Sequence, residues 1–426
     1  MNIFKSGASL AAANILSSLA SFIVLSRLLT VLGLQEYAKV SVMLTYVAIF
    51  QIIFATQSWQ GLLWKFSRMV PRNTLMAAFG IDAVSALFGA STLLACSWLF
   101  INGNDASTIA FVALNVFLMP YGATLAVIRL RGLYSQQAGI ETLASALKLA
   151  LVFVLDPEYV GPYYVVTVLV LPELIKWLGY VTLLTLHLKH TNVSGENEDV
   201  KASLREVYKF SSWGVFTEVI HLPAAHLDKL IVGAFLGAQS QAVWDLVKRC
   251  VTALVQVTNV VNQQLFPFYM RKLEISNYSR AAAYSHMLKS AKMMALTIFS
   301  VYLVAGLGFY EWFPPLFKLR QTELAQYSAK TNFMAFSAVM VFVLGAIPVH
   351  PLFLAIEGSK RNFTISAAAN ALNLVAALVL VPYLGVIGCI LAIFISDGLI
   401  ISFKLIRCRR WAAADTPDTA ALGANI

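Results

Sequence analysis

Six basic side chains, Arg27, Lys148, Lys176, Lys229, Lys248 and Arg249, lie inside stretches apolar enough to cross a bilayer. A charge facing lipid at that depth costs roughly 2.5 to 3.5 kcal/mol. Left dry and unpaired, the set would cost about 18 kcal/mol, more than the roughly 5 to 15 kcal/mol by which proteins are stable. They are therefore paired, hydrated or both. Glu173 can reach Lys176 at i+3, and Asp245 can reach Lys248 or Arg249 at i+3 or i+4. Lys148 has only Glu141, two turns back, and Arg27 has no acid within a turn. An intramembrane cation without a local partner is a candidate for binding an anion, which puts Lys148 first. Arg27 comes second, because it lies near the end of its stretch and can snorkel to the interface.

Other polar groups share these stretches. Glu218, His221 and Asp228 fall on one face with Pro223 between them, and Asp82 and Asp397 are isolated acids. These five are candidates for gating or for holding a coupling proton or sodium ion. For Asp82, Asp397 and His221 the plainer alternative is a hydrogen bond between helices. Gln256 and Asn259 continue the stripe of Asp245, Lys248, Arg249 and Thr252, while Trp177 and Tyr180 follow Glu173. Gln57 and Asn373 add further amides within the apolar stretches, and polar faces of this kind must point away from lipid. No GxxxxGK[ST], HExxH or GxSxG sequence is present, and Cys96, Cys250, Cys389 and Cys408 lack metal-ligand spacing. No catalytic residue, metal or cofactor is expected beyond that coupling ion.

The elements that hold these residues follow from composition. Of the 426 residues, 59% are hydrophobic and 12% charged, against about 25% charged in soluble domains, and the mean hydropathy is +0.74. The chain reads as an all-α polytopic membrane protein. Twelve apolar stretches stand near 8–32, 37–60, 75–101, 108–128, 140–155, 161–186, 211–235, 240–263, 290–313, 329–351, 362–382 and 385–405. They divide into a six-helix bundle over 1–186, a cytoplasmic linker over 187–210, a second six-helix bundle over 211–405 and a tail over 406–426. Lys and Arg collect in alternate loops, which places both termini in the cytoplasm and accounts for most of the +10 net charge without nucleic acid. Shifting the chain by 204 residues superposes Gly33, Gln35 and Ala38 on Gly237, Gln239 and Ala242, a weak internal repeat. Two like-oriented halves around a central cavity follow.

The segments 25–40, 227–246, 263–272 and 354–396 resemble, in order, those of bacterial polysaccharide-transport proteins. These are flippases of Wzx type, in the multidrug/oligosaccharidyl-lipid/polysaccharide exporter superfamily. Asp228, Gly233, Gly237, Phe266 and Pro267 stand at the family's central motif, and Gly358, Asn373, Pro382, Gly385 and Gly388 at its final hairpin. The chain departs at Thr30 and Val31, where the family usually has Gly-Pro, and at Ala38, where a second glycine follows the tyrosine.

The resemblance implies two six-helix bundles that move an undecaprenyl-diphosphate-linked oligosaccharide across the bacterial inner membrane by alternating access, feeding O-antigen or exopolysaccharide synthesis. Lys148, Lys176, Arg249 and Arg27 would serve the diphosphate. Gln256, Asn259, Gln57, Asn373, Trp177 and Tyr180 would line the sugar path. Expected partners are the lipid-linked oligosaccharide, membrane lipids, and the polymerase and chain-length proteins of the pathway. Other readings are a cation-coupled drug or metabolite antiporter and a membrane-embedded polymerase or ligase, the latter disfavoured by short outer loops. The flippase reading is undercut if Lys148, Lys176 and Arg249 are all locked in ion pairs within dry helix contacts, with no hollow between the bundles.

Overall fold

The computed structural model describes residues 3–66, 70–100, 113–155, 163–190, 199–274, 279–309 and 321–414. Among these the chain is helical, with no strand. An apolar solvent offers the backbone no partners, so each segment satisfies its own N–H and C=O groups. Each of the twelve expected stretches falls wholly or partly on helix. Among the described residues, eight helices are long and apolar enough to cross a membrane, nine if the pair Ala329–Gly345 and Val349–Glu357, bent by 43°, is one span.

The chain divides into two compact units, Met1–Leu222 and Pro223–Ile426. In the first, α1 (Ile3–Phe54) runs through a break at Gly33 and is followed by α2 (Ser58–Lys65), α3 (Arg72–Phe100), α4 (Gly122–Arg131), α5 (Tyr134–Val154), α6 (Tyr163–His190) and α7 (Val200–Leu222). Helix α1 packs on α5, α5 on α6, and short α2 on both α4 and α7. Leu62, Leu75, Ala78, Ala123, Val127 and Val207 form a buried core where α2, α3, α4 and α7 meet. Val84 and Phe88 on α3 are about two-thirds exposed, as lipid-facing residues are.

The second unit opens with a π-turn, Pro223–Leu227, that leads into α8 (Asp228–Leu236) and α9 (Ala238–Glu274). Then come α10 (Arg280–Leu307), α11 (Gln321–Gln326), α12 (Ala329–Gly345), α13 (Val349–Leu384) and α14 (Val386–Ala413). Helices α8 and α9 form a hairpin, as do α13 and α14, while α10 packs on α12. Tyr269, Met287, Val349, Leu352, Phe353 and Cys408 make the core at one end.

The stretch expected as a linker, 187–210, is helical at both described ends, and from Val200 it is part of α7. Three contacts hold α7 to the first unit. Lys65 Nζ meets Glu206 Oε2 at 2.9 Å, Gly61 N donates to Ser211 Oγ at 3.1 Å, and Tyr208 Oη donates to Asp82 Oδ1 at 3.2 Å. The charges of 201–209 read as solvated linker in the sequence because their spacing conceals the buried edge of Ser203, Val207 and Ser211. At the expected departure from the family, Thr30 and Val31 simply continue α1, and the turn falls on Gly33.

Candidate functional site

Helices α5 and α6 bring Glu141, Lys148, Glu173, Lys176 and Tyr180 into one cluster. Lys176 Nζ lies 3.1 Å from Glu141 Oε2 and 3.6 Å from Glu173 Oε2, the latter the expected i,i+3 pair. Lys148, expected to lack a partner, lies 3.4 Å from Glu173 Oε1. The missing acid comes from the neighbouring helix, which spacing along one helix cannot reveal. Tyr180, buried, donates its hydroxyl to Glu141 Oε1. Two lysines and two glutamates make the cluster neutral overall. Trp177, on the same helix, joins an aromatic group with Phe117 and Tyr121, at centroid separations of 5.8 and 6.1 Å.

Arg27 is different. It makes no ion pair among the described residues; its guanidinium lies 5.8 Å from the Phe153 ring centroid, and its Nε is buried without a hydrogen-bond partner. The order expected from sequence is thus reversed: Arg27, not Lys148, is the intramembrane cation without an acid.

Asp82, on α3, is 2% exposed and accepts four hydrogen bonds. Thr56 and Tyr208 donate to Oδ1, and Ser58 Oγ and the Ala123 backbone N–H donate to Oδ2, the last two at 2.8 Å. Ser58 opens α2 and Gly122 opens α4, so two helix starts converge on the carboxylate, where their orphan N–H groups and dipoles favour a negative charge. Close approach requires glycine at two points: a methyl on Gly122 would strike Ser58 Oγ, and one on Gly61 would strike the Val207 carbonyl. Beside Asp82, Gln57 sits between α1 and α2 in the left-handed region, φ 51° and ψ 25°, and accepts a hydrogen bond from Trp59 Nε1 at 2.7 Å. Gln57, Trp59 and Asp82 border a pocket of about 50 Å³, room for a few waters rather than a sugar ring.

In the second unit the α8–α9 hairpin concentrates charge. Asp245, fully buried, meets Lys229 at 2.5 Å and Arg249 Nε at 2.9 Å. Lys248, expected to pair with Asp245 if Arg249 did not, turns instead to Asp228, 2.7 Å away, which also accepts from Trp244 Nε1 at 3.0 Å. Glu218 and His221 are exposed while Asp228 is fully buried, so the three do not share an environment. The π-turn adds a residue between them and shifts the helical phase that the sequence reading carried through Pro223. The histidine within the buried group is His226, which sequence reasoning passed over.

Among the remaining candidates, buried Asn373 donates to Ser396 Oγ at 3.2 Å. Asp397 makes no hydrogen bond or ion pair among the described residues. Two turns further along α14, Lys404 Nζ lies 2.9 Å from His350 Nδ1, a part-buried contact not foreseen from sequence. The Gln256 and Asn259 side chains lie outside the described residues, as do Phe266, Pro267 and Gly358 of the expected motifs. Among the described residues no His, Cys, Asp and Glu group could hold a metal ion. Lys148, Lys176 and Arg249 are thus all ion-paired, but their side chains keep 16, 18 and 33% exposure, so none is fully enclosed between helices.

This arrangement of helices is that of known transporters. The chain is similar to an inward-facing multidrug resistance MATE family transporter of the MOP superfamily, at 14% identity and TM-score 0.64 over 93% of this chain and 95% of that one. It is similar to the lipid II flippase MurJ in an inward closed conformation, at 12% identity and TM-score 0.68 over 94 and 87%. A MOP superfamily transporter from Pyrococcus furiosus with a binding pocket of reversed polarity aligns at 12% identity and TM-score 0.59 over 97% of both chains. No curated protein matches the chain in sequence. The fold therefore defines the class: a polytopic membrane protein with the architecture of the multidrug/oligosaccharidyl-lipid/polysaccharide exporter superfamily. Residues 3–273 match the family model described as polysaccharide biosynthesis protein, and the chain belongs to that family.

Proposed function

We propose that the protein is a flippase that carries an undecaprenyl-diphosphate-linked oligosaccharide across the bacterial inner membrane by alternating access, with both termini in the cytoplasm. Membership of the polysaccharide biosynthesis family supports a glycan substrate, and a fold shared with a lipid II flippase supports a lipid-linked one. The observation that carries the reading is Arg27, a cation in an apolar helix with no acid to neutralise it. A diphosphate supplies the missing charge, and a guanidinium binds it through two parallel hydrogen bonds.

The α5–α6 cluster deepens this reading. Lys148 and Lys176 are part-exposed and held by glutamates at 3.1 to 3.6 Å, longer than tight charge-assisted contacts, so a phosphate can exchange with a carboxylate. Arg249, with Nε on Asp245, offers a third exchangeable cation. Trp177 adjoins that cluster and, with Gln256 and Asn259, lines the sugar path, whereas buried Tyr180 and Asn373 are bonded to Glu141 and Ser396 and the pocket at Gln57 is too small for a sugar ring. Asp397, without a partner, is the acid best placed to take a coupling proton or sodium ion; Asp228 contributes to the gate. Asp82, with both oxygens saturated, holds structure instead. O-antigen or exopolysaccharide polymerase and chain-length proteins are the partners this role implies.

Complementation tests it. In a bacterial strain lacking its own O-antigen flippase, the wild type restores surface polysaccharide and Arg27→Ala lowers it by about tenfold or more, the loss of about 1.4 kcal/mol. Full restoration by Arg27→Ala at equal membrane abundance overturns the role of Arg27. No restoration by the wild type with several lipid-linked donors overturns the flippase reading.

A further inference from the structure

Lys248 reaches from α9 across the hairpin to three oxygens. Its Nζ donates to the backbone carbonyls of Ala224 and Ala225, the second at 3.1 Å, and to Asp228 Oδ2 at 2.7 Å. An ammonium has three N–H donors, so all are used and none remains for a passing anion. Pro223–Leu227 runs as a π-turn, wider than an α-turn, and each of its carbonyls has two lone pairs, so it can accept from Lys248 beside any helical hydrogen bond. The other carboxylate oxygen, Asp228 Oδ1, is buried and has no hydrogen-bond partner.

Backbone carbonyls that converge beside a buried carboxylate are hard oxygen ligands of the kind that hold a monovalent cation inside a membrane protein. The geometry points to such a site here, formed by the Pro223–Leu227 turn and Asp228 and kept filled by the tethered ammonium of Lys248. A free ion and Lys248 exclude each other, because both would need the same three oxygens, the Ala224 and Ala225 carbonyls and Asp228 Oδ2. The surrounding charges do not relieve that conflict. Lys229 and Arg249 are both paired with Asp245, and His226, Trp244 and Cys389 add no negative charge. Asp397, which also feels the Lys248 charge, makes no hydrogen bond or ion pair with it. In the wild type this site therefore neither binds nor needs sodium, and removal of the ammonium converts it into a sodium site.

The test uses full-length protein purified in detergent, with unfolding midpoints taken in sodium chloride and in choline chloride at equal ionic strength. Wild-type midpoints coincide. Lys248→Ala unfolds at lower temperature in choline and gains about 2 °C or more in sodium, and it retains radioactive sodium on a desalting column. The double variant Lys248→Ala/Asp228→Asn loses both responses. Lys248→Ser leaves the same oxygens free and adds only a short hydroxyl, and it carries the same comparison should the alanine variant not fold. Equal midpoints in the two salts with no retained sodium, for whichever of these variants is purified, overturn the inference. A sodium response of the wild type that Asp228→Asn abolishes overturns it equally. Neither measurement involves transport, so the result stands apart from that of complementation.

Discussion

Gly33 and Gly237 stand 204 residues apart and hold nearly the same backbone, φ 76° and ψ 167° in one, φ 89° and ψ 162° in the other. That corner of conformational space is open to glycine alone. The residues five further on, Ala38 and Ala242, are both buried. A repeat that amounts to a few matched letters in the sequence is thus a repeated hairpin turn in each unit.

Alanine at either glycine should destabilise the protein by about 1 to 3 kcal/mol, and by similar amounts at the two places, because the cost is set by the backbone. At Gly237 a methyl would meet nothing within 4 Å, so steric contact adds nothing there. Thermal unfolding of Gly33→Ala and Gly237→Ala in detergent checks this. An unchanged midpoint for both would show that the turns tolerate a side chain.

Asp82→Ala strands four donors around a buried hole. Losing the acceptor of a buried network costs about 3 kcal/mol or more. Asp82→Asn should cost less than alanine yet more than nothing, since its amide places an N–H where a donor already points. The graded loss wild type, Asn, Ala is read from unfolding midpoints; if the alanine variant matches the wild type, the network does not anchor α2 and α4.

Asp245 sits between Lys229 and Arg249, so Asp245→Ala leaves two cations against an empty place, at a cost of about 3 to 5 kcal/mol. Lys229→Met added to it should recover part of that loss. A double-mutant cycle with strictly additive effects would contradict the pairing.

Lys148→Ala is expected to change stability by less than about 1 kcal/mol, because its partner is part-exposed and Glu173 keeps Lys176. Polysaccharide export should fall less in Lys148→Ala than in Arg27→Ala. The opposite ranking, at matched membrane abundance, would restore Lys148 as the principal phosphate ligand.

Much of this could be read from the amino acids, for identifiable reasons. In lipid every segment must be helical, so apolar length alone located the helices, and local pairs such as Glu173 with Lys176 and Asp245 with Arg249 followed from the pitch of one helix. Contacts between helices did not follow. Lys148 with Glu173, Lys229 with Asp245, and the four donors of Asp82 depend on which helices are neighbours. The shared face drawn through Glu218, His221 and Asp228 took one unbroken α-helix for granted, whereas a π-turn stands at 223–227 and only Asp228 is buried. The left-handed break at Gln57 left no trace, since a glutamine in that conformation looks like any other glutamine.

Cys389 gives the second unit a native reporter. Its thiol is wholly buried, 3.9 Å from Asp228 Oδ2, at the first turn of α14. No alkylating reagent can reach that sulfur while α14 stays seated against the charged hairpin, so the rate at which maleimide labels it clocks how often the two part. Substrate, lipid or a voltage that speeds the parting will register as faster labelling, without any dye or engineered probe.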